Sequence, residues 1–297
     1  MDGFILVNKP KGYTSHDVCN KLKRRLKLDK IGHSGTLDPL ATGLLVIGIG
    51  KATKLLSYLE NQVKTYIATI KLGFETDTYD ILGNIKYVNE NFSVTADDID
   101  RELSKLKETK EQIPPIYSAI KVNGKKLYDY AKENINVKIK PRPVKIDYLK
   151  RISELDNNQF LVKVTANKGF YVRTLIKDLG VNLKSFATMV DLNRTSCGNF
   201  SLEMAQDLDD VILNGPKIYT IEELFYNSSK INVSKKMAKW VLNGIILDER
   251  QYVGDDLLFV YYNDDLLAIY EKYKDNKFKP VVIIGDKNAY VWVKWFK

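Results

Sequence analysis

One short loop contains the residues of this sequence that are best suited to chemistry. The stretch GHSGTLDPLATG, residues 32–43, surrounds a single carboxylate, Asp38, with glycines, small hydroxyl residues and a proline. The glycines and the proline fix tight turns. A carboxylate held in this way can act as a nucleophile or as a base, and the alternative is an aspartate that only caps its own turn. Although an acid normally seeks water, we expect its apolar neighbours to be buried: Leu37, Leu40 and Ala41.

Other motifs that carry chemistry are incomplete in this chain. GIGKAT resembles a phosphate-binding loop, but Leu45 replaces the required glycine and Ala52 replaces the hydroxyl residue. The stretch DTYDILG, residues 77–83, lacks the third ligand and the closing glutamate of a calcium loop. The histidines and cysteines are too few for a zinc site or a disulfide framework: His16, His33, Cys19 and Cys197. We therefore expect two free thiols, no metal and no cofactor.

Basic residues are concentrated in two segments of the chain. The formal net charge is +9 and the pI is about 9.1, and residues 121–151 alone hold ten Lys or Arg against three Asp or Glu. Residues 21–30 add six basic residues and one acid. Such segments can simply be solvated faces. Interleaved tyrosines favour a nucleic-acid partner, because aromatic rings stack on unpaired bases: Tyr117, Tyr128 and Tyr130.

Hydrophobic periodicity predicts a scaffold of strands and helices around the loop. Strands are predicted at GFILVNK, GLLVIGIG, KTYIATIKLG, PVKIDYLKRI, QFLVKVTANKG and ATMVDLNRTS. Helices are predicted at SHDVCNKLKRRLKL with Ser15 as its cap, and at ATKLLSYLE, TADDIDRELSKLK and YVRTLIKDLGVNL. Residues 109–142 lack a clear period and gain prolines and basic charge, so we expect an excursion that is mobile until it meets a partner. The irregular alternation indicates an α+β fold with a mixed, largely antiparallel sheet.

The pattern changes near residue 232, where short strand signals between Asp, Asn and Gly turns replace the longer elements. These strands are predicted at DLLFVYY, LLAIYEKY, PVVII and YVWVKWF. We therefore predict two domains, residues 1–231 with the basic excursion, and a small all-β domain at 232–297. A hydrophobic content of 44% and a charged content of 28% are typical of a soluble protein. Because no apolar run has bilayer length and the start lacks leader features, we expect a cytoplasmic protein with no membrane partner.

Five stretches resemble a single family, in the order in which that family carries them. GHSGTLDPLATGLL resembles the catalytic motif of the TruB family of tRNA pseudouridine synthases, which isomerise uridine 55 of the T loop. LVNKPKGYTS, KTYIATIKLGFETDTYDILG, QIPPIYSAIKVNGKKLYDYAK and NKGFYVRTLIKDLG resemble the same family, so the likeness covers roughly residues 3–200. The related large-subunit ribosomal synthases have an arginine where Thr36 stands here. The C-terminal domain is similar to the family's small PUA-type RNA-binding domain.

The resemblance implies a pseudouridine synthase fold, no cofactor and a role for each matched residue. Asp38 would be the catalytic carboxylate. Arg173 would supply the cation that keeps it ionised in an apolar pocket, and the alternative is an ordinary surface arginine. Tyr66 would stack on the target uracil and help to move its C5 proton. Tyr171 would form a pocket wall and Leu192 the pocket floor, unless both are plain core residues.

The resemblance also implies how the RNA is held. His33 would fill the space left when the stacked uridine is extracted, with a turn-capping histidine as the alternative. Asp80 would be a polar group of a loop ordered by residues 76–78. Lysines of the excursion would bind phosphates: Lys121, Lys125 and Lys126. The implied partner is the T-arm of tRNA, bound by a monomer with no obligatory protein partner, and the alternatives are a non-catalytic RNA chaperone and a synthase inside a guide-RNA particle.

Overall fold

The computed structural model describes residues 2–133, 135–254 and 257–286. Its strands are β1 (Gly3–Lys9), β2 (Ile31–Ser34), β3 (Thr42–Ile49), β4 (Lys64–Leu72), β5 (Phe74–Thr76), β6 (Ile85–Val88), β7 (Glu111–Gln112), β8 (Lys121–Val122), β9 (Lys125–Lys126), β10 (Arg142–Pro143), β11 (Ile146–Arg151), β12 (Gln159–Ala166), β13 (Ala187–Cys197), β14 (Phe200–Ser201), β15 (Gln206–Asp207), β16 (Ser229–Asn232), β17 (Leu258–Tyr262), β18 (Asp265–Lys274) and β19 (Lys277–Ile283). Its α-helices are α1 (Ser15–Leu26), α2 (Leu56–Glu60), α3 (Ala96–Lys107), α4 (Leu127–Lys132), α5 (Val172–Asn182), α6 (Leu208–Asn214), α7 (Ile221–Leu224) and α8 (Lys235–Leu242). Short 3-10 helices lie at Gly50–Leu55 and Leu202–Met204.

Nine strands form the central sheet. Seven follow the order β11-β12-β4-β13-β3-β1-β15, while β14 pairs with β13 and β2 pairs with β3. The pairings of β13 with β3 and of β1 with β15 are parallel, and the other pairings in this sheet are antiparallel. The predicted α+β fold with a mixed, largely antiparallel sheet is confirmed. This order places β4, β13 and β3 side by side at the middle of the sheet.

Apolar side chains cover both faces of the central strands. Strand β3 is buried from residue 43 to residue 49, because its alternate residues pack into different clusters. One cluster packs helices α1 and α6 against Leu45 and Ile47 of β3. Another packs α3 and α5 against β4, β12 and β13, and it includes Leu37 and Leu40 of the loop 32–43. The loop with Asp38 is therefore attached to the same core as helix α5.

The start of helix α1 differs from the sequence prediction. The N-cap is Thr14, whose Oγ1 accepts from Asp17 N at 3.0 Å while the Asp17 carboxylate accepts from Thr14 N at 2.9 Å. This reciprocal pair is a capping box. The prediction of Ser15 as the cap is wrong, because its side chain turns inward and bonds the backbone of Leu37. The stretch ATKLLSYLE also differs, since it forms a 3-10 helix followed by the five-residue helix α2.

The excursion at residues 109–142 contains more local structure than its sequence predicts. Strands β8 and β9 form a short hairpin whose turn uses Asn123 at φ 51° and Gly124 at φ 82°. Helix α4 follows directly, and β10 pairs back onto β7. Four two-residue strands and one six-residue helix are too short for a periodic signal. The mobility expected of this segment stays a prediction.

The C-terminal part forms a separate four-stranded sheet in the order β16-β17-β18-β19. The strands predicted at DLLFVYY, LLAIYEKY and PVVII are present as β17, β18 and β19, and the predicted strand YVWVKWF lies outside the described residues. The sheet starts with β16 at Ser229, and helix α8 packs on it. The sheet also packs against the larger domain, since Phe259 and Ile269 share one cluster with Phe4 and Leu44. The exact division into two domains stays a prediction.

Two further features bear on the composition. Cys19 and Cys197 are both buried free thiols, as predicted. Burial raises the pKa of the Cys19 thiol to about 12, so this thiol is not a reactive nucleophile at neutral pH. Across residues 2–133, 135–254 and 257–286, no helix has both the length and the apolarity needed to cross a membrane.

Candidate active site

A pocket of about 490 Å³ opens where the loop 32–43 meets the N-terminal end of α5 and strands β4 and β13. Side chains from distant parts of the sequence meet here because β4, β13 and β3 are neighbours in the sheet. The structure places Asp80 and the three predicted lysines beside this lining rather than in it. The lining contains six of the predicted site residues: His33, Asp38, Tyr66, Tyr171, Arg173 and Leu192.

Hydrogen bonds and apolar packing fix the loop that carries Asp38. Leu37 N donates to Ser15 Oγ at 2.8 Å, and Ala41 N donates to Asp38 O at 3.0 Å across the tight turn. The predicted burial of the flanking apolar side chains is confirmed, since each is at most 3% exposed. The loop therefore has little freedom to move Asp38, and positioning of this kind lowers a reaction barrier.

Gly43 ends the loop at a place where only glycine fits. Its φ is 100°, a conformation that other residues rarely adopt. A Cβ at this position would overlap the backbone of Arg194 on the adjacent strand β13. The close approach of the two backbones brings the end of the loop against β13, which also supplies Leu192 to the pocket.

Asp38 forms an ion pair with Arg173. Asp38 Oδ2 lies 2.9 Å from Arg173 Nη2. Arg173 is the second residue of α5 and only 6% exposed, so the alternative of a surface arginine is wrong. Its guanidinium also donates to Tyr117 O at 3.0 Å and to Thr78 O at 3.3 Å. These carbonyls hold the cation in place against the unfavourable end of the helix dipole.

The surroundings of Asp38 favour the neutral form of its carboxyl, and Arg173 works against them. Burial raises the pKa of Asp38 above its ordinary value, Arg173 lowers it, and the nearby carboxylate of Asp80 raises it again. The net direction is upward. About a third of the side-chain surface (34%) remains open to the pocket, so a ligand can reach the carboxylate. A carboxylate with a raised pKa is a stronger base than one in water.

Tyr66 and Leu192 form the part of the pocket that lies over the sheet. Tyr66 on β4 is half-buried and stands opposite Arg194 of β13 in the strand register. Leu192, two residues earlier on β13, is 6% exposed and pairs with Ala68. Burial raises the pKa of the Tyr66 phenol, while Arg194 lowers it. An aromatic ring beside an apolar floor is a surface on which a planar base can stack.

His33 and Tyr171 complete the walls. His33 Nδ1 is buried and has no hydrogen-bond partner among the described residues. Burial, aided by Arg194, lowers the pKa of His33, so its imidazole is neutral at pH 7. Tyr171 is the N-cap residue of α5, and Gln112 clamps its backbone by accepting from Tyr171 N at 2.9 Å and donating to Tyr171 O at 3.4 Å.

Asp80 is a buried residue of a loop that borders the pocket. Asp80 Oδ1 accepts from Thr78 Oγ1 at 2.8 Å and from Leu82 N at 3.0 Å, while Thr76 Oγ1 donates to Asp80 O at 2.6 Å. The same loop supplies the Thr78 carbonyl that holds Arg173. The structure thus connects Asp80 to the ion pair through Arg173 and through the electrostatic effect of Asp80 on Asp38.

The three lysines lie on the hairpin of the excursion, at the edge of the pocket. Residues 118–120 line the pocket, and the exposed Lys121 follows directly. Lys125 forms an ion pair with Glu133 and lies over the ring of Tyr130, and Lys126 lies over the ring of Tyr128. The hairpin thus presents cations and aromatic rings together, which is the combination that single-stranded nucleic acid binds.

Three buried cations beside the pocket are absent from the sequence prediction: Lys9, Lys64 and Arg194. Lys9 and Arg194 are fully buried, and burial lowers the pKa of Lys9 to about 8 while Asp38 opposes the change. Each of the three stands in or at the end of a strand, but its sequence neighbours are mostly polar, so the sequence carries little signal of burial. Buried charges cluster at functional sites.

The side chains of the pocket do not form a metal-binding cluster. Within the described ranges, no group of three or more His, Cys, Asp or Glu side chains is placed to hold a metal ion. The charged, phenolic and imidazole groups that line the pocket are two carboxylates, three arginines, two lysines, two tyrosines and one histidine: Asp38, Glu60, Arg142, Arg173, Arg194, Lys64, Lys168, Tyr66, Tyr171 and His33.

Sequence and structure comparisons agree on what this chain is similar to. Residues 23–172 match the sequence model described as TruB family pseudouridylate synthase (N terminal domain). The chain is 38% identical to the tRNA pseudouridine synthase B of Fusobacterium nucleatum subsp. nucleatum, over 91% of this chain and 95% of that protein. It is 38% identical to the tRNA pseudouridine synthase B of Bacillus cytotoxicus, over 96% and 97%. The fold resembles a chain in the crystal structure of a Cbf5-Nop10-Gar1 complex, with a TM-score of 0.69 and 25% identity over 97% of this chain and 86% of that chain.

Proposed function

This chain belongs to the TruB family of pseudouridylate synthases, and we propose that it is an isomerase that converts uridine 55 in the T loop of tRNA to pseudouridine. The observation that carries this proposal is the Asp38–Arg173 ion pair at 2.9 Å, held in a pocket that Tyr66 also lines. The names of the relatives support tRNA as the substrate. The choice of uridine 55 rests on the likeness of the loop 32–43 to the catalytic motif of the family.

The reaction needs one ionised carboxylate and no cofactor. The N1–C1′ glycosidic bond breaks, the uracil turns, a C5–C1′ bond forms, and the C5 proton leaves while N1 gains a proton. Asp38 would act by attack on C1′, by attack on the base or by removal of a ribose proton, and each route requires its negative charge. Arg173 supports that charge at the position where burial opposes it.

The other pocket residues would hold the extracted uridine. Extraction of a stacked base costs a few kcal/mol. Tyr66 would stack on the uracil and take part in removing the C5 proton, with Leu192 below the ring and Tyr171 at the wall. The neutral His33 has a flat imidazole at the pocket margin that would occupy the vacated space in the loop. Asp80 would act through Arg173, because Arg173 donates to the carbonyl of Thr78, which belongs to the same loop as Asp80.

The T-arm would lie across the excursion. The hairpin carries Lys121, Lys125 and Lys126 beside the pocket-lining residues 118–120, so phosphate binding there would guide the T loop to Asp38. We propose that the protein acts as a monomer, in the cytoplasm, without the partner proteins that accompany its structural neighbour. The nearly full-length match to two proteins named as tRNA pseudouridine synthases supports tRNA as the substrate.

A position-resolved modification assay tests the proposed function. The purified protein is incubated with an unmodified tRNA transcript, with the same transcript carrying cytidine at position 55, and with an isolated T-arm stem-loop. Pseudouridine is then mapped by carbodiimide labelling and primer extension.

We expect modification at position 55 of the first transcript and of the stem-loop, with none in the cytidine transcript. An RNA chaperone would bind all three without modifying any, and a guide-dependent synthase would leave all three unmodified until a guide is added. Either of these results would contradict the proposal.

A further inference from the structure

Arg194 is the largest fully buried side chain of the described protein, and the reaction as proposed above does not use it. It lies on β13 between two parts of the site. In the sheet register it stands opposite Gly43, the end of the loop that carries Asp38, and opposite Tyr66 on β4. A buried guanidinium requires hydrogen-bond acceptors, because an unpaired buried charge is costly.

Two of its donors tie the loop together from both sides. Arg194 Nε donates to Leu44 O at 2.7 Å, and Nη2 donates to Gly35 O at 3.2 Å. Gly35 precedes Asp38 by three residues and Leu44 follows it by six. One planar group therefore fixes the spacing between the two arms of the loop. A lysine could not do the same, since it lacks the rigid fork of donors.

The remaining guanidinium nitrogen, Nη1, is the donor that is available to the pocket. Nη1 is buried and has no hydrogen bond of acceptable geometry to any described residue, although Arg194 lines the pocket. A Cβ on Gly35 would lie 3.4 Å from Nη1 and 3.2 Å from Lys64 Cε, so the space beside this nitrogen is narrow. A buried donor that lacks a partner calls for one, and the reactive group that faces Arg194 across the register is the Tyr66 phenol.

We propose that Arg194 is a positioning residue that donates from Nη1 to the Tyr66 phenol oxygen, in the free protein as in the RNA complex, while its other donors hold the loop of Asp38. The phenol proton is then directed away from Arg194 and towards the bound base. This inference rests on the proposed function, because it concerns the catalytic use of Tyr66. One arginine would then link the Asp38 carboxylate and the Tyr66 phenol, the two groups that would carry out the reaction.

Charged and titratable groups around Tyr66 are consistent with this role. Burial raises the pKa of the phenol most, Arg194 lowers it through its charge and through its side-chain contact with the phenol, and Cys197 on β13 and Asp38 on the loop raise it. Among these groups Arg194 is the cation, so it is the side chain whose removal should raise the pKa of Tyr66 further. Lys64 on β4 and His33 on β2 also line the pocket, and both stay in place in the variants described next.

A titration that needs no RNA tests the proposal. A trifluorotyrosine, whose phenol is more acidic than that of tyrosine, is inserted at position 66 and titrated by ¹⁹F NMR. The host chains are the wild type, Arg194→Met and Arg194→Lys. Lys168→Met serves as the control, because Lys168 also lines the pocket but pairs with Glu60 at 3.0 Å. We expect the pKa of residue 66 to rise by about one unit or more with methionine, to rise less with lysine, and to stay unchanged in the control.

Single-turnover kinetics adds a readout that a purely structural role would not produce. If Arg194 acts through the phenol, the Arg194→Lys substitution should slow the reaction at saturating RNA when Tyr66 is present. The same substitution should slow the Tyr66→Phe variant little further. In both cases KM should change less than kcat. The inference would be overturned if the two substitutions slowed the reaction by factors that simply multiply. It would also be overturned if Arg194→Met folded and left the pKa of residue 66 unchanged. If Arg194→Met does not fold, the titration of the lysine variant decides, and an unshifted pKa there also counts against it. A protein with no synthase activity at all would defeat the proposed function while the NMR titration still reports on the pairing of Arg194 with residue 66.

Discussion

Replacing Arg173 with glutamine removes the cation from the candidate site and leaves the carboxylate in place. Glutamine keeps one amide donor but is shorter than arginine, so it does not replace both bonds to the carbonyls of Tyr117 and Thr78, which accept from Arg173 at 3.0 and 3.3 Å. Helix α5 should still form, because Leu175 and Ile176 stay in the core. Asp38 loses the ion pair that opposes its burial, so its pKa should rise above the already raised value. The variant should then need a higher pH to reach the ionised, active form.

The size of this shift follows from the geometry. Two unit charges 2.9 Å apart interact by about 6 kcal/mol at an effective dielectric constant of about 20. Water in the pocket screens the pair, since a third of the Asp38 side chain is exposed, so a shift of about 1–3 pKa units is the appropriate range for a carboxylate beside an arginine. On the acid side of the pH profile, kcat/KM of the variant should be about 10- to 1,000-fold lower than that of the wild type. At high pH the loss should become smaller.

The assay is the pH profile of kcat/KM on a T-arm RNA, with RNA affinity measured at each pH. An acid limb that stays at its wild-type pH in the folded variant would refute the claim that Arg173 sets the ionisation of Asp38. Stability gives a second check. The folded pKa of Asp38 lies above its unfolded value, so the carboxyl favours folding at low pH and this contribution is lost as the pH rises through the folded pKa. In Arg173→Gln this loss should begin at the same pH, near the unfolded pKa, and continue to a higher pH, so the total loss is larger.

Three other changes test separate parts of the site. Charge reversal at Lys125 and Lys126 should weaken RNA binding and lower the slope of log affinity against log salt by about one for each phosphate that is no longer bound, and an unchanged slope would remove both from the interface. Tyr66→Phe keeps the ring that can stack but loses the hydroxyl, so single-turnover product formation should slow, whereas wild-type turnover would leave the ring as a stacking platform only. Ser15→Ala leaves the buried Leu37 N–H without its acceptor at 2.8 Å, which should cost about 1–3 kcal/mol in urea unfolding, and a stability equal to wild type would show that the loop does not depend on this bond.

Local sequence signals were sufficient for most of the scaffold. Long strands such as β4 and β13 are predicted by their hydrophobic period, and a helix such as α3 is predicted by its threonine cap and its acidic first turn. The loop 32–43 was identified because its composition is unusual for a turn. The ion pair of Asp38 with Arg173 came from family resemblance, since no periodicity connects residues so far apart in the chain.

The differences between the sequence predictions and the structure have physical reasons. Ser15 and Thr14 are both residue types favoured at helix N-caps, with serine slightly preferred, and only the position of Leu37 in the fold decides which side chain turns inward. The burial of Arg194 and Lys9 is not predictable from the sequence, because a charged residue in a strand is normally exposed. Their burial depends on carbonyls supplied by other segments. The two-residue strands of the excursion are set by their pairing partners rather than by their own residues.

The central claim is that Asp38 performs the chemistry in a site that positions it, and the variant Asp38→Asn tests this most directly. Asparagine has nearly the same shape and can still accept from Arg173 Nη2, so the variant should fold, with at most a modest loss of stability. RNA affinity should stay within about tenfold of wild type, because phosphate binding dominates it. Tritium release from C5-labelled uridine in a T-arm RNA, measured beside a binding titration on the same preparation, should be undetectable. Substantial tritium release by the folded, RNA-binding variant would contradict the account.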